Sequence, residues 1–148
     1  MRILLDTSII VEIDRQNDEI KNLLQQLVER GDELIISTIT VAEILTGSYL
    51  RIDTKIAIQK AKDVLNQCTW KDVDAETAEI CAQLYSLLFV QKKQDAIEYP
   101  DVLIATTFFS AHCDLLVTLN VSDFSLIERL KEKVYTPSMM KEYEKLRL

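Results

Sequence analysis

Three aspartates stand where a buried strand gives way to a helix or where a helix opens. Asp6 ends the aliphatic run Ile3-Leu4-Leu5, Asp101 follows Tyr99-Pro100, and Asp123 comes shortly after Leu115-Leu116-Val117-Thr118. Each has an ordinary use. Asp6 or Thr7 can cap a helix by accepting from the free amides at its start, and Ser122 with Asp123 suits another such start. Asp101 fits the positive end of a helix dipole. Together they point further. In a parallel sheet with right-handed crossovers these junctions gather at one edge, in the crevice where open α/β sheets hold their ligands. Carboxylates converging there without cationic partners repel one another. Such clustering predicts that the acids cost the metal-free fold stability. Mg²⁺ resolves the repulsion, because it takes oxygen ligands and keeps several waters. Paired ions of this kind can activate water and stabilise the entering and leaving oxygens of a phosphodiester.

The intervening sequence supplies the sheet and helices that such a convergence requires. Ile3-Leu4-Leu5, Leu34-Ile35-Ile36 and Leu115 to Thr118 are apolar runs without an amphipathic period, as expected of strands buried on both faces. Ile20, Leu23, Leu24, Leu27 and Val28 make a helical stripe ending near Gly31. Ser37 and Thr38 offer caps for a helix whose stripe is Val41, Ile44, Leu45, Ser48 and Tyr49. Glu43 lies roughly opposite that stripe and reads as solvated, although Thr40 and Gly47 beside it leave that side open to a cleft. Ala57, Ala61, Val64, Leu65 and Cys68 form the next stripe. Trp70 to Val73 make at most a weak strand or connector.

Asp74 then caps a long helix to about Gln94, apolar almost all round and therefore expected to be largely buried. Pro100 suits a first helical turn. Asp101 shares a face with Ile104, Ala105, Phe108 and His112. Ser138 is expected to cap a last helix carrying Met139, Tyr143 and Leu146. Strands alternating with one or two helices give an α/β fold with a parallel sheet covered on both faces.

Composition removes several other functions. The chain has 148 residues, 48% hydrophobic and 28% charged, as expected of one ordinary globular domain. Its three cysteines form no CxxC pair, so no disulfide framework is expected. The single histidine, His112, leaves the usual zinc sites without ligands. Two glycines cannot build a P-loop or a GxGxxG fingerprint. A net charge of −7 argues against unspecific adhesion to nucleic acid, so contact with one needs a local basic patch or bound cations. No apolar run approaches the ~18 residues of a membrane helix, and no signal-peptide pattern opens the chain, so the expected place is the cytoplasm.

Four short motifs, in this order and spacing, resemble those of the PIN-domain ribonucleases. They are Leu4-Leu5-Asp6-Thr7-Ser8, Thr40-x-x-Glu43, Asp101-x-Leu103-Ile104-Ala105, and Thr118-x-Asn120-x-x-Asp123-Phe124. In length and spacing the chain is most similar to the VapC toxins of toxin–antitoxin pairs, over residues 1 to about 137, with 138–148 as a helical extension of the same domain.

The resemblance implies a three-layer α/β/α domain with a central parallel sheet that cuts RNA using Mg²⁺, or Mn²⁺ in its place. It makes Asp6 and Asp101 the principal metal ligands, Glu43 the acid completing the site, and Thr7 and Ser8 its supporting hydroxyls. It also implies a homodimer and a cognate VapB-like antitoxin that covers the active site. Asn120, a further supporting residue, stands where many relatives carry an acid, so a fourth carboxylate, if one is needed, must be Asp123. Thr106 and Thr107 replace common alanines, and His112-Cys113-Asp114 replaces the usual glycine at that helix end.

Two rival readings remain. A phosphatase of the haloacid-dehalogenase type would use Asp6 as nucleophile, but its second aspartate would fall at Ser8. A catalytically inactive PIN-like module would serve protein contacts, and the intact set of Asp6, Glu43 and Asp101 argues against it.

Overall fold

Successive side chains of each inner strand point to opposite faces of one sheet, and helices cover both. In the computed structural model, which describes residues 1–146, the strands are β1 (Arg2–Leu5), β2 (Glu33–Ser37), β3 (Thr69–Lys71), β4 (Leu115–Val117) and β5 (Val134–Tyr135). They form a five-stranded sheet in the order β3-β2-β1-β4-β5, parallel throughout. The helices are α1 (Thr7–Asp14), α2 (Asp18–Glu29), α3 (Thr38–Tyr49), α4 (Thr54–Leu65), α5 (Ala75–Val90), α6 (Tyr99–Ser110), α7 (Val121–Phe124) and α8 (Pro137–Leu146). A 3₁₀ turn spans Glu128–Leu130.

Ile3, Leu5, Leu34, Ile36, Leu115 and Val117 pack on one side with Ile9, Ile10, Leu23, Leu27 and Met140. Leu4, Ile35 and Leu116 pack on the other with Leu84, Leu88, Ile104, Phe108 and Phe124. This is the three-layer α/β/α arrangement. Because both faces are apolar, a one-residue slip of a strand would not expose its core residues, and the usual hydrophobic control of register is weak. Polar residues at the strand ends supply it instead. Asp6, Ser37 and Thr118 follow or end β1, β2 and β4 at one edge, and all three are buried. A slip would carry each away from its hydrogen-bond partners, at a cost of about 1–3 kcal/mol per unpaired group.

From β1 the chain moves outward through β2 to β3, then returns to the other side of β1 for β4 and β5. The neighbours β1 and β4 therefore flank the switch point, where the crevice of an open sheet lies.

Several local expectations change. Gly31, with φ +84°, ends α2 as predicted, but Val28 is exposed. On α3 the fully buried residue is Thr40, and Tyr49 is exposed. Helix α5 stops at Val90, before a left-handed Lys92. It buries only Thr77, Cys81, Leu84 and Leu88, leaving Leu87, Phe89 and Val90 exposed. As an outer helix packed chiefly on α6, it has a partner on one face only.

Helix α6 ends at Ser110, so His112 is off its buried face, exposed and left-handed at φ +50°. Helix α8 starts two residues earlier than expected and is capped by Thr136, whose Oγ1 accepts from Met139 N at 3.1 Å, not by Ser138. It buries Met140 in place of Met139, while Leu146 is exposed. Arg30, the C-cap of α2, pairs with Glu144, and Tyr135 meets Tyr143 edge-on, which fastens α8 to the body. Of the extension at 138–148, residues 147 and 148 lie outside the described residues. No described helix is long and apolar enough to cross a membrane.

Candidate active site

Asp6 does what a capping aspartate does, and more. It is the N-cap of α1, 4% exposed, and its amide continues the ladder by donating to Val117 O at 3.0 Å. Its Oδ2 accepts three hydrogen bonds: from Ser8 N at 3.3 Å, Ser8 Oγ at 2.7 Å and Thr118 Oγ1 at 2.8 Å. Among the described residues no hydrogen bond reaches its Oδ1. The two hydroxyls are themselves oriented by the chain after β4. Thr118 Oγ1 accepts from Asn120 N at 2.9 Å, and Ser8 Oγ accepts from Leu119 N at 3.1 Å. Both protons are thereby directed at the carboxylate.

Glu43 is exposed, as periodicity suggested, but it is not idle. The Thr7 hydroxyl hydrogen-bonds its Oε2, and Thr7 Oγ1 lies 3.0 Å from Thr40 Oγ1 on the same helix. The side of α3 left open between cleft and water therefore faces α1 and the edge where Asp6 sits.

Asp101 occupies the first turn of α6 and is partly buried. Its carboxyl is pushed up to about 7, first by burial and then by the negative charges of Asp6, Glu43, Glu98 and Asp123. The four acids singled out from sequence thus share one electrostatic field. Asp123 is locally secured: Asn120 Nδ2 donates to its Oδ2 at 2.6 Å and Ser122 Oγ to its Oδ1 at 3.1 Å. Among the described residues no lysine or arginine pairs with any of these four acids.

Three contributors escaped the sequence reading as site residues. Thr40 and Thr118 stood inside the quoted motifs but had no assigned part, and both are fully buried against the acids' supports. Glu98 is the N-cap residue of α6, without a side-chain capping bond, and its only signal was an acid one helical turn before Asp101. Among the described residues no three His, Cys, Asp or Glu side chains form a ready-made metal cage. A groove of about 710 Å³ lies elsewhere, between α1, α2 and α4, lined by Ile13, Leu24, Val28, Val64 and Cys68 among others, with none of the four acids in its wall.

A family model described as "PIN domain" matches residues 3–130. A search of curated protein sequences finds no match. Solved structures do resemble the chain. VapBC2 from Rickettsia felis, bound to a DNA fragment from its promoter, is 25% identical, with 92% of this chain and 98% of that chain covered and a TM-score of 0.82. FitAcB from Neisseria gonorrhoeae is also 25% identical, covers 91% and 97%, and has a TM-score of 0.74. VapBC-1 from nontypeable Haemophilus influenzae, at 22% identity, shares the fold with a TM-score of 0.79 over 93% of this chain and 99% of its own. The family model spans most of the chain and the fold is the one these structures share: the chain belongs to the PIN-domain family.

Proposed function

We propose that the chain is a Mg²⁺-dependent endoribonuclease, acting as the toxin of a type II toxin–antitoxin pair. The observation that carries this reading is the convergence of Asp6, Glu43, Asp101 and Asp123 beside the β1/β4 switch point, where burial first and then the charges of its neighbours raise the Asp101 carboxyl to about 7. Uncompensated negative charge of this kind is an arrangement a cation relieves.

The donor set fits a hard divalent ion. Its ligands would be carboxylate oxygens, and Asp6 Oδ1 is left clear while Oδ2 takes the local hydrogen bonds. A full protein cage is not needed, because Mg²⁺ is held by one or two carboxylates and keeps much of its water. Asp6 and Asp101 would hold it, with Glu43 completing the site and Mn²⁺ able to substitute. When bound, the ion supplies Lewis-acid stabilisation of phosphoryl oxygens and a more acidic water.

The chain's own groups orient this site. Thr118 and Ser8 fix Asp6, Thr7 fixes Glu43, and Asn120 with Ser122 holds Asp123, whose engaged oxygens contribute charge to the site. The cation also answers the charge problem, since a chain of net charge −7 needs one to approach an RNA phosphate. The Ser8 hydroxyl, donated to Asp6, stands where a phosphatase of the rival type needs an acid.

The partner is a VapB-like antitoxin, by analogy with the VapBC complexes the fold resembles. The toxin is proposed as a homodimer because the motif resemblance implies one. An arginine or lysine of that antitoxin would neutralise Asp6 and Asp101 in place of the ion. Incubating the partner-free protein with total cellular RNA, with and without Mg²⁺, tests the reading. Discrete Mg²⁺-dependent fragments are expected, and their ends identify the target; intact RNA under both conditions favours a non-catalytic interaction module.

A further inference from the structure

Helix α6 carries a line of buried hydroxyls through an otherwise apolar layer. Thr106 turns back on its own helix, donating to Val102 O at 2.7 Å. Thr107 also reaches outside it. Its Oγ1 lies 3.0 Å from Leu103 O and 3.0 Å from Ser37 Oγ. Ser37 ends β2 and is the N-cap of α3, its Oγ accepting from Ile39 N at 3.2 Å. Both side chains are fully buried. The two hydroxyl protons together serve the Ser37–Thr107 link and the Leu103 carbonyl, so every group in the link is paired.

Apolar contacts between helices are non-directional and tolerate small slides. A hydroxyl pair in a low-dielectric interior does not, because a slide leaves buried polar groups unpaired. This pair therefore fixes α6 against the start of α3. The consequence falls on Asp101. Asp6, Glu43 and Asp123 are each held by side-chain hydrogen bonds. Among the described residues none reaches the Asp101 carboxylate, so its place is the place of α6. Asp101 lies roughly 9 Å along α6 from Thr107, and Glu43 about the same distance along α3 from Ser37, at ~1.5 Å per residue. A shift or rotation at the link is carried to both acids.

We propose that Ser37 and Thr107 form a positioning clasp that sets the separation of Glu43 from Asp101, and with it the site's affinity for a divalent cation. The inference rests on the metal-dependent reading above. Its test is Mn²⁺ titration calorimetry on the purified chain, alongside thermal unfolding and RNA cleavage. Thr107→Val is expected to weaken Mn²⁺ binding about tenfold, the lower end of what removing outer support costs a metal site. Thr107→Ser, which keeps the hydroxyl, is expected to restore it. Thr107→Val strands the Ser37 hydroxyl and can fail to fold. The Ser37→Ala/Thr107→Val double variant leaves neither hydroxyl and supplies the folded comparison, with affinity still reduced; because it also uncaps Ile39 N, Ser37→Ala alone is measured beside it to separate the cap from the clasp. A folded Thr107→Val or double variant with wild-type Mn²⁺ affinity overturns the clasp alone. Wild type that neither binds Mn²⁺ nor cuts RNA overturns the ribonuclease reading and the clasp's role with it.

Discussion

Thr118, just beyond β4, donates its hydroxyl to Asp6, just beyond β1, at 2.8 Å across 112 residues of sequence. The two strands are neighbours only because the sheet reverses its winding between them. The switch point thus does more than open a crevice. It brings a buried donor to the acid there and fixes which carboxylate oxygen is engaged.

Thr118→Val keeps the side chain's size and removes that donor, together with the acceptor for Asn120 N. We expect a stability loss of about 1–2 kcal/mol from the unpaired Asn120 amide and the one bond lost at Asp6 Oδ2, which keeps the two from Ser8. Cleavage should fall by tenfold or more, as when a metal ligand loses its orienting partner. Thr118→Ser should recover most of both. Denaturant unfolding and initial cleavage rates on the three proteins check this, and a Thr118→Val protein that cuts at the wild-type rate contradicts it.

Asp101→Asn should be more stable than wild type in the absence of metal. The Asp101 carboxyl is raised to about 7 in the fold, against an ordinary value near 4 in the unfolded chain. Above pH 7 both states are ionised and only the native state bears burial and repulsion. As pH falls from about 7 towards 4, the native state takes up the proton first and the lost stability returns. At pH 8 in EDTA the variant's advantage should be about 1 kcal/mol, after discounting for solvent screening of a partly exposed group. It should shrink at pH 5, and also with Mg²⁺, which binds and stabilises the native wild type. Urea unfolding at both pH values decides the matter. Asp6→Asn is not expected to share the gain, because Oδ2 of Asp6 accepts three hydrogen bonds that weaken when the charge is lost.

His112→Gly should raise stability by about 0.5–1 kcal/mol. His112 is exposed at φ +50°, a conformation that costs a side-chain-bearing residue about 1–2 kcal/mol and glycine nothing, offset by glycine's greater freedom when unfolded. Asp101 sits in the first turn of α6 and His112 beyond its last residue, Ser110, which alone lies roughly 13 Å along the helix from Asp101. Thermal unfolding should show the gain while the cleavage rate stays unchanged.

The inner strands were legible because β1, β2 and β4 are uninterrupted aliphatic runs, and the edge strand β3, half-exposed and only Thr69–Lys71, was barely so. Asp6, Asp101 and Asp123 were visible as acids at junctions, because topology alone gathers junctions at one edge. Glu43 was not, because its connection to the site is a contact with Thr7 that no helical period encodes. The family resemblance, not the pattern, brought it forward. Helix α5 misled in the opposite direction: its sequence is apolar almost all round, but an outer helix can bury only the face its neighbour offers, so Leu87, Phe89 and Val90 are exposed. Thr107 and Ser37 were invisible as a pair, since a hydroxyl partner 70 residues away leaves no local signal.

The most direct test of the central claim is cleavage of RNA by the partner-free chain, compared with Asp6→Asn and Asp101→Asn, in Mg²⁺ and in excess EDTA. The account predicts cutting by wild type in Mg²⁺ only, with both variants inactive though folded. Full activity in EDTA, or undiminished cutting by either variant, would contradict it.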